Sequence, residues 1–403
     1  MFKKDFQYYK FCAYGFLKNM RFFDPFILLF FREIGFSYLQ IGFLFSIREI
    51  SNTMLEVPSG VAADYLGRKY SMLLSFAAYM VSFIIFTISS NYYLFFLAMF
   101  LFAIGESFRS GTHKAMIIDY LKLNDMSDLK TEYYGSTRAW SQIGSAISSL
   151  VAGGLVLWSG NYRIVFAASI LPYVFDFINL ATYPAYLNGL SDKKSKKQMA
   201  RQDLKKLFTT KEYRRALLNS AVYDGMFKSI KDYLQPIVKS FALGIPVFLA
   251  LNGEKRSAII IALVYFILFF LSAAASKNSY RIKQIFQSNS RAINITFIFG
   301  IIITAISGIA HSFNIEIVSI LFFISVYMLQ NLRRPVNTHY ISNHIPDNLM
   351  ATGLSVETQA KTITIAILSP VIGYLADLLG VGYGIFIVSA ALLVLFPILK
   401  VRE

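Results

Sequence analysis

Apolar runs recur along the whole chain at lengths that suit a bilayer crossing, which takes about 20 helical residues. Read against turn residues and charge punctuation, they predict twelve helices at roughly 11–31, 39–59, 71–90, 92–117, 136–158, 163–187, 216–241, 257–276, 292–311, 316–338, 354–376 and 382–400. This is the pattern of an all-α membrane protein with twelve transmembrane helices. Gly244–Gly253 is apolar but too short to span, so it reads as an extension of the seventh helix or as an outer loop. The one long polar stretch separates two six-helix halves, 1–190 and 216–403, joined by a basic linker at 191–215. The start of the chain has the look of a secretory leader, a basic segment before apolar residues. Lys18, Arg21 and Asp24 interrupt that run, and a retained first helix is expected instead.

Composition agrees with the pattern. Of 403 residues, 56% are hydrophobic and only 15% charged, where a soluble domain carries about a quarter. Mean hydropathy is +0.52. A net charge of +16 in a soluble protein points to nucleic acid or a membrane surface, but here its placement gives it another meaning. Of the basic residues outside the helices, 23 fall on one side, among them Arg68, Lys69, Lys122, Lys130 and the linker cluster from Lys193 to Arg215, and 4 on the other: Arg32, Arg163, Lys255 and Arg256. Cytoplasmic loops keep the excess of Lys and Arg. Both termini and the linker are therefore expected on the cytoplasmic face of a plasma membrane, with the linker lying on the leaflet and no nucleic-acid partner. One cysteine, Cys12, and four scattered histidines leave no disulfide framework and no metal-ligand spacing. No nucleophile–base spacing and no phosphate-binding Gly-x-x-x-x-Gly-Lys-Ser/Thr loop is found, so neither an enzyme nor a cofactor is expected. Gly380-Val-Gly-Tyr-Gly384 looks like a potassium-channel filter, but it lies in a short outer loop without a pore helix.

After the second helix the chain reads Gly60-Val-Ala-Ala-Asp64-Tyr-Leu-Gly67-Arg68-Lys69. Two glycines allow a tight turn, and Asp64 and Arg68 set opposite charges at the membrane edge where they can pair. The segment resembles the signature loop of the major facilitator superfamily, Gly-x-Leu-Ala-Asp-Arg-x-Gly-Arg-Lys, and stands where that family has it. The preceding Glu56-Val-Pro58-Ser-Gly60 is similar to the lead-in of many bacterial members. The resemblance implies two six-helix halves, a monomeric carrier of a small solute, and a gate latch formed by Gly60, Asp64, Gly67 and Arg68, with Asp119 and Arg138 near the inner face joining it.

Several departures bear on function. Ala62 replaces the usual Leu and Tyr65 the usual Arg, and the matching loop of the second half, around Ser276–Arg281, lacks the pattern. The antiporter signature of the fifth helix is absent, since Ser145, Ser149 and Leu150 stand where glycines and proline are usual. The family's fourth-helix arginine would fall at Leu101, so nothing is carried over to Arg109. A second Gly-x-x-Ala-Asp-x-x-Gly occurs at Gly373–Gly380, at the outer end of the eleventh helix, and continues as Val381-Gly382 instead of Arg-Lys. The Ile345–Thr352 loop resembles another family segment, with Met350 where Arg is usual.

Twelve basic and eight acidic residues lie inside the predicted helices. Facing lipid they would cost on the order of 50 kcal/mol, so they must line a polar interior, pair, or reach the interface. Helical spacing groups them into stripes: Tyr14, Lys18 and Arg21; Glu49, Asn52 and Glu56; Glu106, Arg109 and His113; Asp224, Lys228, Lys231 and Gln235; Glu357 and Lys361. Helices one, four, seven and ten line the cavity of the resembled family. The best candidate site therefore combines Lys18, Arg21 and Asp24 with Asp224, Lys228 and Lys231, and adds Glu49, Glu106 and Arg109 as further pathway residues. Glu106 with Arg109 also reads as a register-fixing ion pair, and His113 and Lys114 as side chains reaching for water.

The expectation is a secondary active transporter working by alternating access, with proton-coupled efflux as the first reading. Uptake of an organic anion or nutrient is the alternative, and a non-transporting receptor or scaffold is a third. Asp64→Asn is expected to slow exchange between inward and outward states with little loss of solute affinity. Unchanged transport rates would remove Asp64 from the mechanism.

Overall fold

A computed structural model describes residues 4–189, 210–278, 286, 288–346 and 349–401. The linker stretch at 191–209, residues 279–281 of the 276–281 loop and residues 347–348 therefore lie outside the described residues. Among those described, eight helical segments are long and apolar enough to cross a membrane unaided, from Arg68–Ile88 to Thr352–Leu379. The other four of the twelve spans are broken, strongly charged, or made of shorter helices.

The first span consists of α1 (Phe6–Leu17) and α2 (Ile27–Glu33), and the second of α3 (Tyr38–Leu66). The third is α4 (Arg68–Ile88), and the fourth is α5 (Tyr92–Arg109) and α6 (Thr112–Leu123), interrupted at Ser110–Gly111. The fifth is α7 (Lys130–Ser159) and the sixth α8 (Ile164–Ala181). The seventh joins α9 (Lys211–Ile230) to α10 (Leu234–Gly244) through a 3₁₀ turn at Lys231–Tyr233. Then follow α11 (Gly253–Lys277), α12 (Asn289–Ser312), α13 (Glu316–Ser342), α14 (Met350–Leu379) and the twelfth span, α15 (Val381–Val394) with α16 (Phe396–Leu399). The segment between Gly244 and Gly253 is irregular, so of the two sequence readings it is the loop.

The helices form two compact units. One comprises Met1–Ile34, Ile47–Ser195 and Val247–Phe269; the other comprises Gly35–Ser46, Lys196–Pro246 and Phe270–Glu403. The first unit is filled by buried rings. Phe23 stacks on Phe166 at 5.2 Å, and Phe30, Phe83, Phe86 and Phe102 close around them. Small residues let α4 and α5 touch: Ser75 Oγ donates to the Gly105 carbonyl at 2.6 Å, Ser82 Oγ to that of Ala98 at 2.7 Å, and a Cβ at Gly105 would lie 2.7 Å from the Tyr79 ring.

In the second unit, the first turns of α3 lie on α14. A Cβ at Gly42 would meet the Ser369 carbonyl at 2.5 Å, and Ser46 Oγ donates to the Ala366 carbonyl at 3.1 Å. The Asp377 carboxylate accepts the backbone N–H groups of Tyr38 and Leu39, each at 2.8 Å. An acidic side chain there satisfies donors that the helix start leaves open and suits the positive end of its dipole.

Both Gly-x-x-Ala-Asp-x-x-Gly segments fold alike. Each runs as helix through its Asp and ends on a glycine, Gly67 at φ 93°, ψ 152° and Gly380 at φ 90°, ψ 159°, before the next helix starts. Gly60 is thus inside α3, and the tight turn expected from two glycines is made by Gly67 alone. Only glycine adopts that conformation without strain of about 1–3 kcal/mol. Space differs between the two sites: a Cβ at Gly67 would collide with the Asn188 side chain, while Gly380 has no atom within 4 Å of that position. Gly67→Ala should therefore lower the melting temperature more than Gly380→Ala in the purified full chain. Equal losses would mean the Asn188 contact carries no weight.

Candidate functional site

The first span breaks where the sequence pattern ran straight through. Pro25 has no N–H to donate four residues back, and its ring excludes the carbonyl there. The Asn19 side chain donates to the Gly15 carbonyl at 2.7 Å, taking up an acceptor that the end of α1 leaves open. Lys18, Arg21 and Asp24 therefore lie in a non-helical break, not on a helical stripe as expected. Freed from the helix, the Arg21 guanidinium pairs with Glu106, and its Nε donates to the Tyr173 hydroxyl at 3.2 Å. The other Glu106 oxygen accepts from Arg109 at 2.6 Å, and Arg109 Nε donates to the Tyr79 hydroxyl at 3.3 Å. One carboxylate thus sits between two guanidiniums. The register-fixing pair foreseen for Glu106 and Arg109 is present, with Arg21 added from 85 residues away.

Next to this clamp the first unit holds a cavity of about 360 Å³. Lys18, Arg109, Lys114 and Arg138 line it, together with His113, Tyr14, Tyr134, Asn19, Ser141 and Gln142, and the lining contains no Asp or Glu. Tyr14 and His113 stack at 3.5 Å, Lys18 lies over the Tyr14 ring and Lys114 over that of Tyr134. Among the described residues Lys18, Lys114 and Arg138 have no carboxylate within ion-pair distance. Arg138, expected with the gate latch, is part of the cavity wall.

In the second unit Asp224, Glu357 and Lys361 are spent on one another. Asp224 pairs with Lys361 at 2.8 Å and accepts from Gln330 at 2.9 Å; Lys361 also pairs with Glu357 at 2.7 Å. Ser220 donates to Glu357 at 2.5 Å and accepts from Asn337 at 2.6 Å. Arg333, only 1% exposed, bonds to Asn219 and lies 4.2 Å from the Tyr223 ring centre. The expected Asp224, Lys228 and Lys231 group is divided. Asp224 is engaged by Lys361, while Lys231 pairs with its neighbour Asp232 at 2.9 Å in the 3₁₀ turn ahead of Pro236. Lys228 lies on α9, one turn after Asp224. Glu49 is on α3 and pairs with Arg48 at 3.2 Å.

At the end of α3, Arg68 pairs with Asp119, and Lys69 donates its Nζ to the Tyr183 carbonyl at 2.8 Å and its backbone N–H to Asn188 at 3.0 Å. The expected Asp64–Arg68 pair is not formed: Asp64 is exposed and makes no ion pair among the described residues. A helical Asp64 projects away from the turn that carries Arg68.

Sequence reasoning placed the sixth span but missed its buried polar and aromatic face. Ser169, Tyr173, Asp176, Leu180 and Tyr183 are all buried, and their three-to-four-residue spacing was a signal available beforehand. Tyr173 donates to the Lys18 carbonyl at 3.1 Å and so holds the break in place.

A sequence profile described as Major Facilitator Superfamily matches residues 11–360. The uncharacterized MFS-type transporter YxaM of Bacillus subtilis (strain 168) is 22% identical over 390 residues, covering 94% of this chain and 91% of that one. The crystal structure of the nucleoside transporter NupG aligns with a TM-score of 0.77 at 13% identity over 98% of this chain and 97% of its own. That of a D-xylose-proton symporter aligns with a TM-score of 0.70 at 14% identity over 98% and 96%. At these identities the structures speak for the fold alone.

The two lysines should behave in opposite ways. Lys361→Met strands two buried carboxylates and should cost about 3–5 kcal/mol of stability, whereas Lys18→Met, which breaks no ion pair, should leave thermal unfolding nearly unchanged. Equal losses in a melting experiment would contradict the assignment of Lys361 to structure and Lys18 to the cavity.

Proposed function

The chain belongs to the major facilitator superfamily, and from that premise we propose that it is a secondary active transporter of small organic anions. By family it is a membrane transporter. The observation that carries the substrate class is the cavity of the first unit, with four cationic side chains in its wall and no carboxylate. Three of the four have no ion pair among the described residues, so a solute carboxylate or phosphate would find charge-assisted donors without first breaking one. The stacked Tyr14–His113 pair and Tyr134 add apolar faces for the body of the solute. An exporter of amphipathic compounds needs a loosely polar aromatic chamber. The cation-lined wall favours the organic-anion alternative over that first reading.

Alternating access would move the halves 1–190 and 216–403 about the solute, with the linker at 191–215 and both termini on the cytoplasmic side of the plasma membrane. A transporter built on broken helices binds where the breaks are, and the first-span break holds Lys18 at the cavity. A proton gradient is the proposed energy source. It fits the missing nucleotide-binding loop, and one structural neighbour is by title a proton symporter.

The test is a thermal-shift and binding screen on the purified full chain with aromatic carboxylates, dicarboxylates, sugar phosphates, nucleosides and D-xylose. Anions should stabilise the protein and uncharged solutes should not. Lys18→Gln and Arg138→Gln should each weaken the best anion by about tenfold or more, as loss of a charge-assisted bond does. Full affinity in both variants, or binding confined to uncharged solutes, would overturn the anion reading.

A further inference from the structure

The four cations in the wall of the first unit's cavity do not form one cluster. They stand in two pairs. Lys18 is the first residue past α1 and Arg109 the last of α5, so both lie at span breaks, beside the clamp. The Tyr173 hydroxyl ties them to it: it donates to the Lys18 carbonyl at 3.1 Å and accepts from Arg21, whose guanidinium shares Glu106 with Arg109. Both are half-buried. The break at Ser110–Gly111, with Gly111 at φ 77°, then separates Arg109 from Lys114 on α6. Lys114 holds its ammonium 5.4 Å from the centre of the Tyr134 ring, and Arg138 follows Tyr134 by one turn of α7. This second pair is exposed.

An aromatic stretch of wall joins the pairs. Tyr14, one turn before Lys18, stacks on His113 at 3.5 Å, and His113 is the neighbour of Lys114. Phe11 stands edge-on to His113 at 5.4 Å, and the Tyr183 hydroxyl lies 3.3 Å from its Nε2, so the stack is held in place. Between one cationic pair and the other the wall therefore offers ring faces and no charge. Counting Arg21, five basic side chains meet one carboxylate, Glu106, around the clamp and the cavity. Among the described residues Lys18, Lys114 and Arg138 have no ion pair.

A single carboxylate presents its two oxygens at one place and serves one pair only. The other pair then keeps no counter-charge. From this geometry we infer that the solute is a dianion with its two anionic groups set apart on one small body, a dicarboxylate in kind; this deepens the anion reading of the cavity and rests on it. One carboxylate goes to Lys18 and Arg109 inside the bundle, where little water competes for the charge-assisted bonds. The other goes to Lys114 and Arg138, and the body lies against Tyr14 and His113. A volume of about 360 Å³ suits a body of one ring or a short chain. The half-buried pair holds any organic anion, and the exposed pair distinguishes a dianion from a monoanion.

Binding of three one-ring probes to the purified full chain tests this: benzoate, with one carboxylate; terephthalate, with two at opposite ends; and phenyl phosphate, with both charges on one group. Terephthalate should bind wild type about tenfold or more tighter than benzoate, and phenyl phosphate should stay close to benzoate. Lys114→Gln should weaken terephthalate about tenfold and benzoate less, so that the ratio of the two affinities falls towards one. Equal affinity of wild type for benzoate and terephthalate overturns the dianion inference and leaves the anion reading standing. Phenyl phosphate as tight as terephthalate, or a Lys114→Gln variant that keeps the wild-type ratio, overturns the placement of the two groups at separate pairs. If the variant does not fold, the three-probe comparison on wild type decides. If none of the three binds wild type, the anion reading itself fails.

Discussion

A charged group inside a bilayer-spanning bundle must find its counter-charge within the bundle, because water is not there to supply it. That constraint organises both units of this protein. Glu106 is held between Arg21 and Arg109, and Asp224 and Glu357 share Lys361. Each cluster ties helices that are far apart in sequence into one arrangement. Removing either partner strands a desolvated charge, so these residues define the packing before they define any chemistry.

What the clusters leave over is informative. In the second unit Asp224, Glu357 and Lys361 match one another, whereas the first has cations among its described residues with no carboxylate in reach, and these gather around a cavity. The excess depends on the break in the first span: a continuous helix would carry Lys18 and Arg21 on one stripe, and the break sends Arg21 to the clamp and Lys18 to the cavity. Asn19, Pro25 and Tyr173, none of them charged, thereby decide which cation is structural and which is available.

Much of the fold was legible in the sequence, since a hydrophobic span must be about 20 residues long whatever surrounds it. The signature segment also marked where the second span turns into the third, although Gly67 alone makes that turn and Gly60 is helical. Three things were not legible. Pairing partners such as Arg21 and Glu106, or Asp224 and Lys361, are brought together by tertiary packing that no local spacing encodes. The breaks at 18–26 and 231–233 had a visible cause in Pro25 and Pro236, but a hydropathy window averages over them. Asp64 and Arg68 stand four apart and oppositely charged, yet Gly67 between them redirects the chain and gives Arg68 to Asp119. Asp377, seen only as a repeat of the motif, proves to hold the first turn of α3.

The central claim is that the cation-lined cavity carries organic anions. Counterflow in proteoliposomes tests it most directly, with unlabelled aromatic carboxylate inside and a trace of the labelled compound outside. Transient accumulation of label above equilibrium in wild type, lost in Lys18→Gln, is the outcome expected. Counterflow of an uncharged solute with none for any anion would contradict the account.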